Sequence, residues 1–141
     1  MNKKQLLRSL NEVYARLGKS KNGVGVFAIR AIPKWTDPFK HCDQWGDVIE
    51  LTEAELAAAP APEEAKRMLR DFCALQEGVY HVPDYGIDAI DKSFYLNHSD
   101  TPNMTTKDGG ESFVAARKIK AGEELTVSYN LFSETKHFKR K

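Results

Sequence analysis

The C-terminal half of this chain is punctuated so closely that no long regular element fits. Val79 to Val82, Phe94 to Leu96, Ser112 to Ala116 and Glu124 to Tyr129 read as strands, and each is bounded by Gly, Pro, Asp or Asn. Small sheets of short strands follow from that pattern. The N-terminal part adds a short helix over residues 3 to 10. Beyond it Val13, Ala15 and Leu17 alternate with Tyr14, Arg16 and Gly18 as in a strand, and Lys19 to Gly23 reads as a turn. Val24 to Ile32 is a mostly apolar strand pair, broken at Arg30 and closed by Pro33.

One helical insert is expected over residues 52–77. Thr52 and Glu55 make a capping box, and Pro60 and Pro62 end the first short helix. Ala65, Met68, Leu69 and Phe72 then follow the i, i+3, i+4, i+7 spacing, with Gly78 where a C-cap is wanted. The fold class is therefore mainly β with a helical insert. The Ala/Pro patch at 57–62 reads as a joint between helices, and 141 residues suit a single domain spanning 1–141.

Composition removes several function classes. With 21 basic and 20 acidic residues, no global field draws the chain to nucleic acid or a membrane surface. The C-terminal basic tail, 131–141, ending Lys136-His137-Phe138-Lys139-Arg140-Lys141, reads as solvated. A nucleic-acid binder using it would need a basic and aromatic stripe elsewhere, which the chain lacks. Cys42 and Cys73 stand apart, in no CxxC pair and without a histidine cluster, so no metal site is expected. No apolar stretch has the length of a signal peptide or a membrane span. A cytoplasmic location is the default, with the nucleus as the alternative in a eukaryote.

Three stretches carry chemistry: KNGVGVFA at 21–28, FYLNHSDTPN at 94–103 and AGEELTVSY at 121–129. Each has a bland reading. Gly23 and Gly25 make a tight turn, or else bring backbone close to a ligand by removing a Cβ. Asn97 caps a turn and His98 is a satisfied structural histidine. Tyr129 ends a strand.

Taken in order, GVGVFA, NHSDTPN and GEELTVSY resemble the SET-domain family of protein lysine methyltransferases, whose GxG, NHSCxPN and GEELTxDY motifs follow the same sequence. The resemblance runs from about residue 12 to residue 130. It implies a SET-domain fold of the β-clip type, several small sheets with a knot-like C-terminal threading, in a minimal form without zinc modules. It also implies S-adenosylmethionine as cofactor. Gly23, Val24 and Gly25 would receive the amino-acid end of that cofactor, and Asn97 with the main chain of His98 would hold its amino group and adenine. Tyr129 would align a lysine amine with the methyl group as the catalytic residue, and the partner would be a protein carrying the target lysine, a histone or another basic protein among the candidates.

Departures from the family pattern leave parts of this open. Asp100 stands for the usual cysteine, Ser128 for an aspartate, and no cysteine-rich segment follows Tyr129. Phe132 or Phe138 would close the site. Val127 occupies the position, two before the tyrosine, where relatives carry the aromatic ring that limits methylation. Trp35 and Trp45 flank a segment that matches poorly, and Tyr80 and Tyr85 are read as structural. The alternative to an enzyme is a catalytically inactive SET-like module that binds a protein partner. Retention of Gly23, Gly25, Asn97, His98 and Tyr129 together argues against it.

Overall fold

The computed structural model describes residues 2–40 and 47–134, and the readings placed on Cys42, Trp45, Phe138 and the basic stretch 136–141 of the tail lie outside them. Helix α1, Lys3–Ser9, is set by Asn2, whose side chain accepts from Gln5 N–H while the Gln5 side chain accepts from Asn2 N–H, both at 2.8 Å. β1, Ala15–Ser20, and β2, Gly23–Ala28, form an antiparallel hairpin with Ala15 opposite Ala28 and Ser20 opposite Gly23. The strand starts two residues later than the alternation suggested and shortens the expected turn to Lys21 and Asn22. Gly23 supplies the turn's left-handed φ of 101°.

β3, Val48–Thr52, was hidden from sequence reasoning because its residues are half-exposed or exposed and show no alternation. It pairs with the later strand 79–83, Thr52 opposite Val79. Thr52 also caps α2, Glu53–Ala58, through the expected capping box with Glu55. Helix α3 is Glu63–Phe72, after Pro62. Its end differs from expectation: Cys73 at φ −104° and ψ 131° leaves the helix as extended chain. Gly78 lies farther on, paired with Glu77 at φ 80° and 52°. These two residues make the tight turn joining β4, Leu75–Gln76, to β5, Val79–Pro83, because such hairpin turns need positive φ at both central positions.

Phe94 to Leu96 is not a strand. Asp91 accepts from Ser93 N–H at 2.8 Å and starts a single 3₁₀ turn, Lys92–Tyr95, because a capping carboxylate offers the backbone a local partner that competes with a ladder. Extended pairing resumes at β6, Asn97–His98, then at β7, Met104–Thr105, β8, Val114–Ala115, and β9, Glu124–Val127.

The first sheet runs β1-β2-β9-β6, with β9 antiparallel to β2 and parallel to β6. The others are β3-β5-β4 and β7-β8. Val26, Ile32, Met104, Ile119, Leu125 and Val127 are fully buried in the main core. A smaller cluster of Leu56, Cys73, Tyr80 and Val82 packs α2 on the second sheet. Burial pushes the Cys73 thiol up to about 12, so it stays protonated.

Candidate active site

The order β2-β9-β6 brings the three motifs together. Asn97 is buried, and its amide nitrogen donates to Val24 O at 3.2 Å and to Glu124 Oε2 at 2.7 Å. Both neighbours only accept, so they fix the amide's orientation and leave Oδ1 as the acceptor facing elsewhere. Among the described residues nothing donates to it. The other carboxylate oxygen of Glu124 accepts from Ser20 Oγ at 2.9 Å.

Gly25 is glycine for a reason the sequence did not show. A Cβ there would come within 2.3 Å of Glu124 Oε2 and 3.1 Å of Asn97 Nδ2. The group that approaches its backbone is a carboxylate of this chain. Glu124, the second glutamate of AGEELTVSY, was passed over because a glutamate at a turn-to-strand junction is ordinarily solvated.

His98 serves β9 with its ring. Nδ1 accepts from Tyr129 N–H at 3.0 Å, so the proton belongs on Nε2, which faces Asp100 Oδ1 at 3.0 Å. Ser99 N–H adds a bond to Val127 O at 3.1 Å. Asn103, expected to bond locally, reaches across instead: its amide donates to Glu124 O at 2.9 Å and accepts from Thr126 N–H at 2.9 Å. A two-residue parallel ladder leaves the far side of β9 short of partners, and one buried amide supplies both.

Tyr129 follows β9 in a 3₁₀ turn, Tyr129–Leu131, and its hydroxyl donates to Leu96 O at 2.7 Å. Burial raises its phenol well above the ordinary tyrosine range, so it stays neutral. Its ring lies 5.2 Å from His98 and 6.0 Å from Phe132, which in turn meets Phe113 edge-on at 5.3 Å.

A cavity of about 530 Å³ opens beside these rings, walled by Phe72, Ala74 and Gln76, by Phe94 and Leu96, by the loop 108–113, and by Phe132. None of the six residues singled out in the motifs lines it. They are nevertheless coupled to it, because Leu96 faces the cavity while Asn97 faces β2 and β9, as successive residues of extended chain do. Tyr129 bonds to Leu96 and stacks near His98, so it touches both sides. Phe132 is a wall of the cavity. Val127 is fully buried in the core and does not line it. Tyr80 donates to Glu53 and is structural, and Trp35 is an exposed platform with Lys107 Nζ 3.9 Å from its ring centre. Among the described residues no group of three or more His, Cys, Asp or Glu could hold a metal ion, and no helix is long and apolar enough to cross a membrane.

The model of the SET-domain family matches residues 23–130. A crystal structure of a Plasmodium falciparum protein, described as a candidate histone methyltransferase, is similar over 82% of this chain and 92% of that one, with a TM-score of 0.52 and 18% identity. At that identity the likeness concerns the fold. No curated protein sequence matches.

Proposed function

This chain belongs to the SET-domain family, and from that premise we propose that it transfers a methyl group from S-adenosylmethionine to the side-chain amine of a lysine on a protein. One observation carries the reading: a half-buried, neutral Tyr129 donates its hydroxyl to the backbone of Leu96, a wall of the apolar cavity, and packs beside His98 of the polar cradle.

The cradle suits a cationic amino-acid ligand. Asn97 Oδ1 is an unclaimed acceptor, and the Glu124 carboxylate beside it adds negative charge. Val24, 47% exposed at the rim, keeps the backbone accessible. When bound, S-adenosylmethionine would supply an electrophilic methyl group on a positive sulfonium.

The remaining task is to present a neutral amine. A free lysine has a pKa of about 10.4, so near neutral pH roughly one in a thousand is deprotonated, a cost of about 4 kcal/mol. Walls of Phe72, Phe94, Leu96 and Phe132 desolvate an entering ammonium and favour its neutral form, as does a neighbouring positive charge. Tyr129 orients the amine and does not abstract its proton, because its own proton is held by burial and engaged on Leu96 O.

Calorimetry with S-adenosylmethionine and a labelled methyl-transfer assay on a cell extract test this together. Tyr129→Phe is expected to lower transfer by about 100-fold or more while cofactor affinity stays within about twofold. Cofactor uptake without transfer in the wild type is the result for a binding module, and no uptake at all overturns the reading.

A further inference from the structure

One side-chain amide holds two walls of the cavity together. Gln76, at the end of β4, donates from Nε2 to Gly109 O at 2.8 Å and to Phe132 O at 2.6 Å. Beside it, Leu75 N–H donates to Ser133 Oγ at 3.2 Å and Leu75 O accepts from Glu134 N–H at 2.8 Å. The segment that follows Tyr129 is thereby strapped along residues 75–76.

The loop 106–112 is braced independently. Asp108 Oδ1 accepts from Thr106 Oγ1 and Ser112 N–H, both at 2.9 Å, and Oδ2 accepts from Ser112 Oγ at 2.6 Å. Gly110 N–H donates to Thr106 Oγ1 at 2.9 Å. A loop so tied moves as one piece. It lies close against Phe132, an approach that needs glycine: Gly110 sits at φ 96°, and a Cβ there would come within 2.9 Å of Phe132 Cβ. Gln76 is what stops it moving away.

We propose that Gln76 is a positioning residue that sets the cavity's width beside Tyr129, and so limits how many methyl groups an amine can carry and still fit. The inference rests on the lysine-methyltransferase reading. Its path is short: Gln76 fixes the Phe132 backbone, and the Phe132 ring lies against both Tyr129 and Phe113. Truncating the amide unties the loop from Phe132 while the Leu75 bonds still hold residues 133–134, so the gap between loop and ring widens and a bulkier amine is admitted with a poorer grip on the first.

Gln76→Leu keeps the side chain's size and removes both donors, while Gln76→Glu keeps its shape and turns a carboxylate on two carbonyls. For both variants, amide exchange in segments 106–113 and 129–134 is expected to quicken about tenfold or more. In the transfer assay kcat/KM falls about tenfold, carried mainly by KM, and the methyl count on the target lysine rises by mass spectrometry. Unchanged exchange in either segment overturns the clip, whatever the activity. Faster exchange or a lower melting temperature with wild-type KM and methyl count shows a merely structural role and overturns the specificity claim. A wild type that transfers no methyl group overturns the functional reading instead, and the exchange arm still decides whether Gln76 holds the loop.

Discussion

A missing methyl group at residue 25 decides how the polar side of the site is assembled. Gly25 is not in the left-handed region, so alanine is acceptable to its backbone; what alanine displaces is Glu124 Oε2, 2.3 Å from the new Cβ. That oxygen is pinned by Asn97, and its partner oxygen by Ser20, so the carboxylate cannot retreat without releasing a bond. Gly25→Ala should therefore weaken S-adenosylmethionine by about tenfold, one charge-assisted hydrogen bond's worth, with the fold retained. Gly86→Ala is the control. Nothing lies within 4 Å of its Cβ, so its strained φ costs about 1 kcal/mol of stability and leaves affinity nearly untouched. Titration calorimetry on both decides, and wild-type affinity in Gly25→Ala would remove Glu124 and Asn97 from the cradle. Gly23, Gly25 and Asn97 were legible in the sequence as motif residues. Their reason was not, because Gly25 and Glu124 become neighbours only through β2 pairing with β9.

At the scale of elements, the turn into β9 has its own fastening. Glu123 accepts from Lys120 N–H at 2.8 Å and from Arg117 at 2.9 Å, and this pairing holds its carboxyl down at about 2. A carboxyl lowered from an ordinary 4.5 stabilises the fold fully above that value and loses its contribution as pH falls toward 2. Glu123→Gln should flatten the acid loss of stability in that window and leave the slope above pH 5 alone, read from urea midpoints. Parallel acid limbs for the two proteins would mean the pair is idle. Arg117 is largely exposed, so salt should shrink the difference. Elements of this local kind were the legible ones. The capping box at Thr52 and Glu55 needs four consecutive residues, and the sequence displays it whole. The two-residue strands β4, β6, β7 and β8 carry too few residues for any alternation, and the apolar triplet Phe94 to Leu96 was misread because Asp91, the cap that bends it, lies outside the triplet. Ser112 to Ala116 was expected as a strand, but only Val114 and Ala115 pair, and the residues before them belong to the loop 108–113 that walls the cavity.

For the whole molecule, β9 is where segments far apart in the chain meet. Val26 pairs with Leu125, Asn97 with Thr126, and Asn103 grips Glu124 O and Thr126 N–H from the remaining direction. Pieces so distant in sequence meet only when most of the chain is ordered, so the cradle and Tyr129 should gain their shape in the same cooperative step as the core. Asn103→Ala tests this. It strands a buried carbonyl and an amide on β9, with an expected cost of about 2 to 4 kcal/mol and an unchanged urea slope if unfolding stays all-or-none. Saturating S-adenosylmethionine should restore part of that loss, because under the proposed function the ligand is held by Asn97 and the 23–25 backbone and binds only the folded state. A shallower urea slope, with exchange quickened in residues 97–104 and 124–129 but not in the β1–β2 hairpin, would instead show that the site segment opens by itself. Cofactor binding would then order a loop already separable from the core, and the unity argued from β9 would fail.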